Sequence, residues 1–176
     1  MTLADRKAGK RSTLVHEGAP KGRLVISGRR LLRADQRAAL RAARRLFRAA
    51  RTGELDVGLV FVHDLEMRAL NRAWRAKDRP TDVLSFAAQE GEHVAGAERL
   101  LGDVVISVDT ARRQARALGH GLDDEIAALL AHGIAHLCGL DHERGADDGE
   151  VQRACEMTLL AAARLSPGLA LSVRAT

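Results

Sequence analysis

Three histidines are spaced so that one folded segment could bring them around a single cation. They lie in the run His132-Gly133-Ile134-Ala135-His136-Leu137-Cys138-Gly139-Leu140-Asp141-His142. Helical residues four apart differ by about 40° around the axis, so His132 and His136 project from adjacent turns of one face. Both imidazoles can then reach a metal at about 2.0–2.1 Å. A third ligand requires the chain to turn back, and Gly139 supplies that turn as a left-handed residue just past the helix end. His142 then approaches from the other side. Three protein ligands with one open position are the arrangement of catalytic rather than structural zinc, so the expected cofactor is one Zn2+ per chain. A lone histidine on so apolar a helix is usually an incidental core residue, but three at this spacing are not explained that way.

The same histidine spacing occurs in metzincin proteases, where a Glu after the first His deprotonates the zinc-bound water. Here that position is Gly133. The metal site survives the change and the peptidase base does not, which makes peptide hydrolysis the weaker reading. Cys138 lies about 240° around the helix from His132 and reads as a small buried hydrophobe rather than a ligand. Asp141, beside His142, either orients an imidazole through a hydrogen bond or acts as a base. Glu125 lies about 20° from His132 around the same helix, and either supports the histidines or stabilises the first helical turn.

Several elements must position these residues. Residues 23–27 (RLVIS) and 56–63 (DVGLVFVH) read as strands, the second apolar enough for the middle of a sheet. Residues 81–86 and 102–107 read as two more. Asp35 opens a helix to about residue 51, and Asp64 caps one to about residue 75. Residues 87–98 form a Gly- and Glu-containing loop. Asp109 caps a helix to about residue 118, Asp123 caps the histidine helix over 124–138, and a final helix spans about 147–165 before Pro167-Gly168. The expected fold is a single α/β (α+β) domain with a four-stranded mixed sheet covered by about five helices. Strand order does not follow from the sequence.

The chain has 176 residues, 46% of them apolar and 29% charged, which suits one soluble domain. Its aromatic residues are Phe47, Phe61, Phe86 and Trp74 only. Core volume must therefore come from Leu, Val and Ala, and nucleic-acid recognition through several stacking platforms is limited. The net charge of +5 is unevenly spread. Residues 1–30 hold eight Lys/Arg against Asp5 and Glu17, and the remainder balances at −1. The expected organisation is a basic flexible arm over 1–22, a catalytic domain over 23–166 and a tail over 167–176. Cys138 and Cys155 lack the spacing of a disulfide framework, and residues 1–22 contain no apolar run for a secretory signal. The longest charge-free stretch, 126–140, is too short to cross a bilayer. These features point to a reduced cytoplasmic protein.

The run from His132 to His142 resembles the signature of the YbeY family of bacterial metallo-endoribonucleases, His-Gly-x-x-His-Leu-x-Gly-x-Asp-His, and carries every specified residue. Further blocks agree: Leu70-Asn71, Trp74-Arg75, Lys77-Asp78 and Pro80-Thr81-Asp82-Val83-Leu84-Ser85-Phe86, then Leu101 to Ser107, with Glu125 ahead of the histidines. The likeness extends over about residues 57–157. Ala135 and Leu140 depart from the usual Leu and Tyr and leave the ligand set complete. The resemblance implies zinc on His132, His136 and His142 and cleavage of single-stranded RNA. It further implies maturation of the 3′ end of 16S ribosomal RNA and ribosome quality control, so small-subunit rRNA and the ribosome are the expected partners. Arg75 falls on the family's functional arginine. Phosphodiester cleavage builds charge on non-bridging oxygens, which a metal and a planar guanidinium can share, so His132 and Arg75 are the expected catalytic pair.

Arg68, Arg72, Arg75 and Arg79 recur at helical steps and could track an RNA backbone. Arg37, Arg41, Arg44, Arg45 and Arg48 form a second such set. Charge runs on helices are more often solvated faces, so each set reads equally well as one. The rival readings are a zinc peptidase and a non-catalytic, metal-stabilised ribosome-assembly factor.

Overall fold

A computed structural model describes residues 22–28, 31–32, 37–88, 99–140 and 146–170. In chain order the elements are β1 (Leu24–Ser27), α1 (Ala38–Ala50), β2 (Asp56–Val62), α2 (Asp64–Arg75), β3 (Val83–Ala87), β4 (Leu100–Ser107), α3 (Val108–Leu118), α4 (Leu122–Leu137) and α5 (Ala146–Ala162). A 3-10 turn, Pro167–Leu169, follows. The sheet order is β1-β2-β4-β3, with β1, β2 and β4 parallel and β3 antiparallel on the edge. This is the mixed four-stranded α/β domain expected from the sequence.

Every residue of β2 is buried, because both faces of the sheet are covered. Val57, Leu59, Phe61, Val104 and Ile106 point to one face and form the main core with α1, α3, α4 and α5. The alternate residues Val60, Val62 and Val105, with Leu84, point to the other face, where α2 contributes Met67 and Leu70. Arg23 anchors the start of β1 to β2. Its Nε and Nη2 donate to Asp56 Oδ2 at 3.0 and 2.6 Å.

The helix starts differ from expectation in a consistent way. His63 rather than Asp64 is the cap of α2, Ser107 rather than Asp109 caps α3, and Gly121 rather than Asp123 precedes α4. The first two acids are drawn across to each other's helix. Asp64 Oδ1 accepts from Ser107 Oγ (2.5 Å) and Thr110 Oγ1 (2.7 Å) at the start of α3. Asp109 Oδ2 in turn accepts from the Asp64 amide (3.2 Å) at the start of α2. Each carboxylate thus sits near a helix N-terminus, where the dipole favours it, but not as a cap of its own helix. Asp35 and most of the loop expected over 87–98 lie outside the described residues.

At the other boundaries, α5 stops at Ala162, with Arg164 in the left-handed region (φ 59°). Ala170 is fully buried, so the folded body extends into the stretch expected to be tail. Gly22 is likewise part of the body, its amide donating to Gly53 O at 2.9 Å. The rest of the basic arm lies outside the described residues. Among the described residues no helix is long and apolar enough to cross a membrane.

Candidate active site

The helix α4 runs through the core and is buried on nearly all sides, from Ile126 to Leu137. Gly133 lets it lie directly on the sheet. A Cβ at that position would meet Val104 Cγ1 at 2.6 Å and Cγ2 at 2.8 Å, with Ser85 Oγ at 3.1 Å. The position that carries the peptidase glutamate in zinc proteases therefore has no room for a side chain here. Close packing requires this glycine.

His132 and His136 face one another from successive turns, with their Nε2 atoms 3.0 Å apart and ring centroids 4.5 Å apart. Behind them stand two fully buried residues of α5, Gln152 and Glu156. Glu156 Oε1 lies 2.8 Å from His132 Nδ1. Gln152 Nε2 donates to the same oxygen at 3.2 Å and lies 3.1 Å from His132 Nδ1 and 3.3 Å from His136 Nε2. A carboxylate on Nδ1 holds the imidazole proton there and leaves Nε2 as a lone pair. That lone pair points at the second histidine, an arrangement suited to a shared cation.

After α4 the chain turns as the spacing requires. Gly139 has φ +85°. Its amide donates to His136 O (2.9 Å), and that of Leu140 to Ala135 O (3.1 Å), the paired bonds of a Schellman ending. His142 and Asp141 lie outside the described residues. Among the described residues no group of three His, Cys, Asp or Glu is placed to hold a metal ion. The structure therefore brings together two of the three expected ligands.

Arg75 ends α2 on the opposite face of the sheet from α4 and is exposed. Edge strand β3 lies between them: Ser85 abuts Gly133 on one side, while Phe86 meets Trp74 edge-on at 5.5 Å on the other. Trp74, beside Arg75, is 65% exposed. Arg68 is engaged through Nε and Nη2 by Asp78 at 2.9 and 2.7 Å, which holds the Asp78 carboxyl below its usual range. Arg72 and Arg79 are exposed on the same side, and the Arg79 carbonyl accepts from Asn71 Nδ2 at 2.7 Å.

The family model of endoribonuclease YbeY matches residues 29–163. The endoribonuclease YbeY of Pelotomaculum thermopropionicum is 49% identical over 123 residues, covering 68% of this chain and 80% of that protein. That of Aquifex aeolicus is 48% identical over 106 residues, covering 60% and 69%. This chain belongs to the YbeY endoribonuclease family. The solution structure of TM1509 from Thermotoga maritima shares the fold, with a TM-score of 0.51 at 22% identity over 80% of this chain and 91% of that one.

One expectation for this YbeY-family chain changes on the structure. Cys138 is exposed at the end of α4 rather than buried, because the helix emerges from the core there. Glu125 is fully buried with Oε2 2.5 Å from His120 Nε2, about 10.5 Å along α4 from His132. It sits in the first turn of the helix, as one of its two sequence readings has it. Gln152 and Glu156 were not anticipated, although a signal for them exists. The buried stripe of α5 runs Gln152, Glu156, Leu159, Leu160, and its first two members are polar where an apolar pattern leads inward.

Proposed function

We propose that this YbeY-family endoribonuclease uses zinc and cuts single-stranded RNA, acting in the cytoplasm on the 3′ end of 16S ribosomal RNA and in ribosome quality control. Family membership supports RNA cleavage. The 3.0 Å approach of two Nε2 atoms, with Glu156 behind one ring, carries the metal reading. His132, His136 and His142 would hold the ion. Bound there, zinc supplies charge to a phosphate oxygen and a water pKa near about 7.

The chain's own groups do the remaining work. Glu156 keeps the His132 proton on Nδ1 and fixes the ring. Arg75 offers a planar fork to a non-bridging phosphate oxygen reached around the β3 edge. Trp74 adds one exposed face on which a base can stack. With so few aromatics, substrate choice rests on how the ribosome presents the strand, rather than on reading many bases. Gly133, with no space for a carboxylate, argues against the peptidase alternative.

The test uses the zinc-loaded chain against single-stranded RNA and casein, with His132→Ala alongside. RNA cleavage that disappears in the variant is the expected result. Casein cleavage would select a peptidase, and cleavage of neither would select a non-catalytic assembly factor.

A further inference from the structure

The arginines of α1 form a second charged feature that cutting RNA at the histidines leaves unexplained. Arg41, Arg44, Arg45 and Arg48 lie on the helix face opposite the one that buries Ala39, Ala42, Ala43, Leu46 and Phe47. With Ala38 and Asp123 they line a cleft of about 520 Å³. Asp123, in the first turn of α4, is the single acid lining the cleft among the described residues. Arg44 Nε is buried without a hydrogen-bond partner. No hydrogen bond or ion pair engages the Arg41 or Arg45 side chains among the described residues. Like charges three and four residues apart repel, and a buried N–H without a partner pays its desolvation in full. Both costs are relieved when an anion with several acceptor oxygens enters the cleft.

The chemistry narrows the anion. The guanidinium forks at these four positions can meet phosphate oxygens bidentately. The stripe from Arg41 to Arg48 is about 10.5 Å long, enough to meet more than one phosphate of a strand. Asp123 lies about 13.5 Å along α4 from His132 and about 180° around it, so the cleft is separate from the histidine site.

We infer that this cleft is a second docking point for the phosphodiester backbone of RNA, holding a stretch of substrate away from the cut. The inference rests on the nuclease reading above for the identity of the polyanion. An RNA held at two points gains effective concentration at the cutting site without any base readout.

The test measures binding of a labelled 2′-O-methyl RNA strand, which resists cleavage, to the zinc-loaded full chain by fluorescence anisotropy across a salt series. Each phosphate contact to a single strand contributes ~0.7 to the slope of log affinity against log salt. Arg41→Glu/Arg45→Glu is expected to lose ~1.4 of that slope and about tenfold in affinity, while Arg41→Lys/Arg45→Lys keeps most of both. Equal thermal melting of the two variants confirms that each is folded. An unchanged slope in the Glu variant overturns the inference. So does a polyglutamate peptide that binds wild type and not the Glu variant while RNA binds both equally, which would assign the cleft to an acidic protein. Because binding is read without cleavage, a chain that shows the expected slopes but cuts no RNA overturns the nuclease reading alone. A chain that cuts RNA with equal slopes overturns the cleft alone.

Discussion

On one face of the sheet, four helices close over the strands and hold His132 and His136 against Gln152 and Glu156, both fully buried. On the other face, α2 alone among the described residues covers Val60, Val62, Leu84 and Val105, and leaves Arg68, Arg72, Arg75 and Trp74 exposed. The difference separates two tasks. Buried polar groups must find partners, so the histidine rings are oriented before any ligand arrives. Exposed arginines are screened by water and salt, so until a phosphate is bound they suit attraction of a polyanion more than fixed geometry. The two faces meet at β3, where Ser85 touches the histidine helix and the next residue, Phe86, touches Trp74. They also meet at Asp64, which starts α2 and receives the hydroxyls of Ser107 and Thr110 at the start of α3.

Cutting the link around β3 has the largest expected effect. Arg75→Glu is expected to reduce RNA cleavage by at least ~100-fold, the scale for losing a positioned donor to developing charge. Zinc content, read by elemental analysis, should stay at the wild-type level. Cleavage close to wild type would mean that the arginine face takes no part at the reacting phosphate.

A change inside the buried face comes next. Glu156→Gln removes the carboxylate that holds the His132 proton, and zinc affinity is expected to fall ~10–100-fold, measured by titration against a competing chelator. Unaltered affinity would show that the ring is fixed by packing alone.

The smallest effect is at the joint between the faces. Burial pushes the Asp64 carboxyl up, but hydrogen bonds from Ser107, Arg113 and Thr110, with the Arg113 charge, outweigh it and hold the pKa below the usual range. A lowered folded pKa contributes stability above the unfolded value of about 3.9, and that contribution is lost as pH falls through the folded value. Asp64→Asn weakens the charge-assisted hydrogen bonds from Ser107, Thr110 and Arg113 and is expected to cost ~1 kcal/mol at pH 7. In denaturant melts the gap to wild type should narrow as pH falls below the unfolded carboxyl value of about 3.9. A gap that does not change with pH would show that the joint does not depend on charge.

Much of the fold was legible because its cues are local. The apolar run of β2 declared a central strand, and the period of α4 declared a buried helix carrying two histidines on one side. Gly139 declared the turn after it. The caps were misread for a non-local reason: Asp64 and Asp109 are typical cap residues, but each carboxylate is taken by the neighbouring helix, and neither sequence neighbourhood contains the other. Cys138 was misread because helical angle says which way a side chain points, not whether the helix end is still inside the core.

The sequence by itself determined the metal-type histidine spacing, the loss of the peptidase carboxylate at Gly133 and the family, because these depend on residue type and on separations of a few positions. Only the tertiary structure decided that Glu156 and Gln152 stand behind the histidines, that Gly133 is required by Val104 and Ser85, and that the two arginine helices lie on opposite faces of the sheet. Those facts concern residues brought together from distant parts of the chain. Their partners are selected by how the helices pack on the sheet, which no local pattern encodes.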